Sequence, residues 1–252
     1  MKRTSRKGWL WRMNRRKIKI AAFLVGLTLL IFILQYDFRN DNSIKPWNLP
    51  LSGQIILLDP GHGGPDGGAG DSEALEKDIA LTIAFQLRDY LQQQGALVMM
   101  TREEDIDLAD EETKGLSRRK TEDLKRRLEL INESEADFYV SIHLNAIPSP
   151  RWSGAQTFYA SQISENARAA KFIQDELRHN LENTTRKAKP INQVYILKYA
   201  KKPGVLVEVG FLSNPAERER LMQEDYQEQI AASIYKGILR YYSKEDELEE
   251  SE

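Results

Sequence analysis

The residues of this sequence that can do chemistry stand far apart along the chain. His62 lies in Asp59-Pro60-Gly61-His62-Gly63-Gly64, a glycine-rich turn behind the apolar run Ile55 to Leu58. His143 closes Ser141-Ile142-His143 behind a second apolar run, and Glu208 sits inside Val205-Leu206-Val207-Glu208-Val209-Gly210-Phe211. Glu76 opens the helical spacing that follows the first turn. Two neutral imidazoles and one carboxylate are a common ligand set for catalytic zinc, with the fourth position left to water. The spacing is not the compact His-Glu-x-x-His motif, so it does not choose the ligands by itself. Each residue also has a plainer reading. His62 could be a hydrogen-bonding loop residue, His143 a satisfied core histidine, and Glu76 an acid favoured at a helix start by the dipole. Glu208 is harder to dismiss, because a charge among apolar neighbours needs a partner or a shifted pKa. The third histidine, His179, falls on the polar side of a helical stretch and reads as surface. A phosphate loop is rejected: no Gly-Lys-Ser/Thr follows, and Asp66 breaks a G-x-G-x-x-G match begun at Gly61.

These residues need a frame that brings them together. Apolar residues at Ile79, Ile83, Leu87 and Leu91 predict a helix over Glu76–Gln94, with Gly95 as its stop. Further helices are expected over Thr121–Asn132, Asn166–Leu181 and Ile230–Tyr241. Strands are expected over 55–58, 96–100, 138–142, 155–160, 194–197 and 205–209, and 105–120 reads as a charged surface excursion. Strands alternating with helices predict an α/β fold: a single domain with a twisted, mostly parallel sheet flanked by helices. In such sheets ligands gather at the carboxyl ends of the strands, where His62, His143 and Glu208 fall.

The chain has 252 residues, enough for one sizeable domain with appendages. It has no cysteine, which excludes disulfides, thiolate metal sites and cysteine nucleophiles. The net charge of −2 hides an asymmetry. The first 34 residues carry nine basic side chains and no acidic one, so the remainder stands at −11. An acidic body argues against a nucleic-acid partner. The basic start followed by the apolar run Ile20–Leu34 is read as a cytoplasmic tail and a membrane helix, an uncleaved anchor or a signal over 1–36, with membrane contact through 20–36. Fifteen helical residues cover about 22 Å of a roughly 30 Å hydrocarbon core, so flanking residues must extend the run. Residues 37–53 then form a linker, 54–243 the catalytic domain and 244–252 an acidic tail.

Several segments recur together in one family: Leu58-Asp59-Pro60-Gly61-His62-Gly63-Gly64, Leu75-Glu76-Lys77-Asp78, Thr101-Arg102, Ala136-Asp137-Phe138, Ser141-Ile142-His143-Leu144-Asn145-Ala146 and Leu206-Val207-Glu208-Val209-Gly210-Phe211-Leu212-Ser213-Asn214. In this order the chain, over roughly 54–243, resembles the catalytic domain of the zinc-dependent N-acetylmuramoyl-L-alanine amidases. The resemblance implies Zn²⁺ bound by His62, Glu76 and His143, with Glu208 as catalytic acid/base. It implies hydrolysis of the amide between the lactyl group of N-acetylmuramic acid and L-alanine, on peptidoglycan glycan strands with stem peptides. The basic start, Lys45-Pro46-Trp47-Asn48-Leu49-Pro50 and Asn183-Thr184-Thr185-Arg186-Lys187-Ala188 are similar to the germination-specific members of that family. That similarity implies work outside the cytoplasm at the forespore cortex, in δ-lactam formation and germination. No wall-binding module is visible, so an accessory or activator protein is expected. The alternative reading is a zinc metallopeptidase, carboxy- or aminopeptidase, on a related scaffold. A tethered binding protein that no longer reacts is a further rival. The glycines beside His62 are expected to keep bulk away so that a glycan strand can reach the metal. Asp59 is expected to orient a ligand from behind.

Overall fold

A computed structural model of the chain describes residues 15–40 and 49–243, with side chains at 18–32 and 49–243. It divides into two units, Met1–Asn48 and Leu49–Glu252. In the first, a helix α1 runs Arg15–Asn40, and its apolar side chains, including Phe23, Leu24, Val25 and Phe32, are exposed. The expected spanning helix is not found, for among the described residues no helix is long and apolar enough to cross a membrane. The physical reason is that the uninterrupted apolar run is short of the hydrocarbon core. Part of the expected linker, 41–48, and the acidic tail 244–252 lie outside the described residues.

The second unit alternates strands and helices. It runs β1 (Ile55–Pro60), a small hairpin of β2 (Gly70–Asp71) and β3 (Ala74–Leu75), α2 (Glu76–Gln93), β4 (Leu97–Met100), α3 (Leu116–Glu133) and β5 (Phe138–Asn145). It continues through β6 (Gln156–Tyr159), α4 (Ser164–Leu181), β7 (Lys189–Pro190), α5 (Tyr195–Tyr199), β8 (Gly204–Phe211), α6 (Pro215–Leu221) and α7 (Glu224–Tyr242). The main sheet has the order β4-β1-β5-β8-β6-β7. Its first four strands are parallel, and β6 joins β8 antiparallel. This is the mostly parallel α/β sheet that the alternation predicts.

Strand periodicity sends alternate residues to opposite faces. Ile56 and Leu58 of β1, Val140 and Ile142 of β5, and Val205, Val207 and Val209 of β8 share one core with Ile83 and Leu87 of α2, Ile173 of α4 and Ile234 of α7. Leu57, Tyr139 and Leu206 face the other way and pack with Ile131 of α3 and Ile196 and Leu197 of α5. A parallel sheet covered on both faces explains why β1 and β8 read as nearly continuous apolar runs. The segment 194–197, expected as a strand, is instead the start of α5. A short apolar run has no period that separates a strand from a buried helical turn, and here Ile196 and Leu197 seal the second core. α3 begins at Leu116, so the charged excursion ends earlier than expected.

Candidate metal centre

The parallel register carries three strand ends to one rim. Gly61 continues the ladder past β1, its N–H donating to the Ile142 carbonyl (2.9 Å). His143 on β5 lies directly across from Glu208 on β8. His62 follows two residues after β1, with φ 60°, a left-handed conformation that costs a non-glycine residue about 1–3 kcal/mol and holds only where surroundings fix it. Two arginines supply that fixing. Arg102 donates to the carbonyls of Pro60 (3.1 Å) and Gly61 (2.9 Å), and Arg127 donates to the carbonyls of Pro60 (2.7 Å) and His62.

His62, Glu76 and His143 converge, their nearest ligand atoms all within 4.8 Å of one another. Glu76 lies between the two imidazoles: Oε2 is 3.1 Å from His62 Nε2 and Oε1 is 2.9 Å from His143 Nδ1. Backbone N–H groups of Ala69 (2.7 Å) and Leu144 (2.9 Å) donate to the same carboxylate and set its plane. Burial alone would push the Glu76 carboxyl up, but the imidazoles of His143 and His62 outweigh it and hold the group well below the usual carboxylate range. For His143, burial disfavours the charged ring, and Glu76 more than offsets this and raises its pKa. Two partly exposed imidazoles around one buried carboxylate make a donor set that could hold a metal ion.

Glu208 completes the rim. Its Oε2 is shielded from solvent with no hydrogen-bond partner, an expensive state for a carboxyl unless something is meant to meet it. Burial pushes this carboxyl up from its ordinary 4.5 to about 7, with His143 pulling the other way. A carboxyl raised in the folded chain carries no penalty below its ordinary 4.5; the penalty grows as pH rises from there to about 7, where the unfolded chain has ionised and the folded group has not, and is constant above that. Glu208→Gln stays neutral throughout. It is therefore expected to raise the melting temperature of the metal-free chain at about pH 8 and to leave it unchanged at about pH 4.5, read by thermal unfolding in chelator.

Comparison with known proteins follows the same residues. The family model described as N-acetylmuramoyl-L-alanine amidase matches residues 56–240. The chain belongs to that family. The germination-specific N-acetylmuramoyl-L-alanine amidase of Bacillus subtilis (strain 168) is 62% identical over 230 residues, covering 91% of this chain and 97% of the relative. The amidase LytC of the same organism is 33% identical over 195 residues, 77% of this chain and 36% of that longer protein. Among solved structures, the CwlD amidase from Clostridioides difficile in complex with the GerS lipoprotein matches with a TM-score of 0.74 and 43% identity, over 77% of this chain and 100% of that one.

For a member of this amidase family, one expectation about the first turn needs correcting. Asp59 does not touch a ligand. It is fully buried and accepts from Thr101 Oγ1 (2.8 Å), Ser141 Oγ (2.6 Å) and Arg127 Nη1 (2.8 Å), so it acts on His62 only through Arg127. Burial pushes its carboxyl up, and Arg127 and Ser141 bring it below the usual range. The residue that holds His62 is Asp66, whose Oδ2 lies 2.8 Å from His62 Nδ1 and 3.0 Å from Lys120 Nζ. A carboxylate on Nδ1 orients the ring and turns Nε2 toward Glu76. The only sequence signal for this was an acid four residues beyond His62. Two glycines of the turn make room for the clustered side chains. A Cβ on Gly61 would stand 2.4 Å from His143 Cε1, and one on Gly68 would stand 2.5 Å from Glu76 Oε2. His179 is exposed and takes no part.

Proposed function

We propose that this chain hydrolyses the amide bond between the lactyl group of N-acetylmuramic acid and L-alanine in peptidoglycan, with zinc held by His62, Glu76 and His143 and with Glu208 as acid and base. The observation that carries this reading is the pairing, across β5 and β8, of a ligand histidine with a shielded, unpartnered carboxyl. Two nitrogens and one carboxylate oxygen fit the three-ligand site of a hydrolytic zinc. Zinc bound there would supply a Lewis acid for the carbonyl and lower the pKa of water to about 7. Glu208 takes a proton from the attacking water and returns it to the leaving amine of L-alanine, the base-then-acid cycle for which a pKa near the working pH is best suited. Asp66 holds the His62 ring in one orientation, and Arg127 and Arg102 hold its backbone, so neither ligand nor loop needs to reorganise during the reaction.

The catalytic domain is taken as 54–243, and of the expected linker 37–53 the helix α1 occupies residues 37–40. The 62% identity to a germination-specific amidase supports action on spore cortex, in the steps leading to δ-lactam and germination. Membership of a family that acts on peptidoglycan supports a catalytic domain working outside the cytoplasm. The solved amidase bound to a lipoprotein supports an accessory lipoprotein partner here as well. The test is which bond is cut. New amino termini on L-alanine support the amidase, and new termini within the stem peptide would instead indicate a zinc peptidase.

A further inference from the structure

β6 runs antiparallel to β8, with Gln156 opposite Glu208. The residues just before β6 therefore lie at the end of the sheet where β8 finishes, beside the metal centre's rim. Several bonds hold that segment onto β8 and its exit. The buried Glu217 carboxylate accepts from Gly154 N (2.7 Å) and from Phe211 N (2.8 Å), and Asn214 Nδ2 donates to the Pro150 carbonyl (2.8 Å). Gly154 has φ +87°, and a Cβ there would stand 2.4 Å from the Asn183 carbonyl, so the loop after α4 closes directly over it.

Between these two loops lies a cleft of about 520 Å³ lined by Trp152, Ser153, Asn183, Thr184, Thr185 and Arg186. Trp152 is 51% exposed, a large apolar ring left in water at the mouth of a polar cleft. Its position is supported from below. Arg186 lies 5.9 Å from the indole and 5.2 Å from the Phe211 ring, and its Nη1 donates to the carbonyls of Ser153 (2.5 Å) and Gly154 (2.7 Å). Asn183 Nδ2 donates to the Tyr226 hydroxyl (2.6 Å), while its Oδ1 is shielded from solvent with no partner. Glu182 and Arg186 are the one acid and the one base among the lining residues.

We propose that this cleft is a saccharide subsite, which binds one N-acetylated hexosamine ring of the glycan strand next to the muramic acid being cut. A flat, exposed indole offers its face to the apolar C–H face of a pyranose. The hydroxyls of Ser153, Thr184 and Thr185 suit the ring's hydroxyl and acetamido groups. A cleft whose charges cancel favours an uncharged sugar over the carboxylate-bearing stem peptide. Phe211 and Glu217 join the subsite to the catalytic strand, so a ring bound here places the strand in register with Glu208. The inference rests on the amidase reading above.

The test separates the two. Glu208→Gln full-length, zinc-loaded chain is titrated calorimetrically with chitohexaose, a soluble hexamer of N-acetylglucosamine, with and without Trp152→Ala. Binding is expected to weaken by about tenfold with Trp152→Ala and to recover in part with Trp152→Tyr. In the Glu208-containing enzyme, Trp152→Ala is expected to raise KM on peptidoglycan about tenfold while kcat stays within about twofold. Equal binding with and without the indole, no binding to either chain, or a fall in kcat at constant KM would overturn the subsite. Chitohexaose binding that depends on Trp152, in an enzyme that cuts no muramyl–alanine amide, would instead sink the amidase reading and leave the subsite standing.

Discussion

Glu208→Gln is expected to bind zinc as tightly as the unaltered chain and to lose hydrolysis by about 10²–10⁴-fold, the range that general acid–base catalysis contributes. The expectation follows from where the carboxyl sits. It touches none of the three clustered ligand atoms through a hydrogen bond, its Oε2 has no partner, and its pKa is raised to about 7 by burial. A glutamine keeps the shape and the register with His143 but can neither take nor return a proton. Metal content measured on the purified variant, beside its rate on peptidoglycan, separates the two roles. Loss of zinc in Glu208→Gln would make it a ligand, and retained hydrolysis would remove it from the chemistry.

The converse variants should fail at the metal itself. His62→Ala and His143→Ala each remove one of three donors, so stoichiometric zinc and all hydrolysis are expected to be lost together. Asp66→Ala leaves the donors in place and frees the His62 ring. It is expected to weaken zinc binding by about 10–100-fold, the usual consequence of removing the carboxylate behind a ligand imidazole. Competition against a coloured zinc chelator reads both effects on one scale. Full zinc affinity in His143→Ala would show that the metal sits elsewhere.

The sequence made the site more legible than its surroundings. Glu208 could be singled out because it interrupts an apolar strand, and a buried charge is conspicuous in any alignment of residue types with burial. His62 and His143 were legible as strand-end histidines, a consequence of parallel strands all presenting their carboxyl ends to one rim. The supports were not legible. Arg127 lies in a helix rich in charged residues, where nothing marks it apart from Arg126 or Lys125, yet it is buried beneath the site and reaches Asp59, 68 positions away. Its role depends on how α3 docks on the sheet, a tertiary fact with no local signature. Asp66 carries no mark of its own in the sequence, because it sits in a turn, where aspartate has an ordinary task. The strand reading of 194–197 failed because α5 is only five residues long, too short for a helical period to show. The antiparallel placement of β6, which brings Trp152 to the rim, likewise rests on pairing that a single strand's residues do not encode.

The measurement that bears most directly on the central claim is digestion of purified peptidoglycan by the full chain, first stripped by chelator and then restored with zinc, followed by mass analysis of the products. The account predicts no cleavage by the stripped chain. On restoring zinc, free amino termini should appear on L-alanine in step with glycan strands whose muramic acid carries a free lactyl carboxylate. Cleavage that survives removal of the metal, or new termini within the stem peptide in place of those on L-alanine, would contradict it.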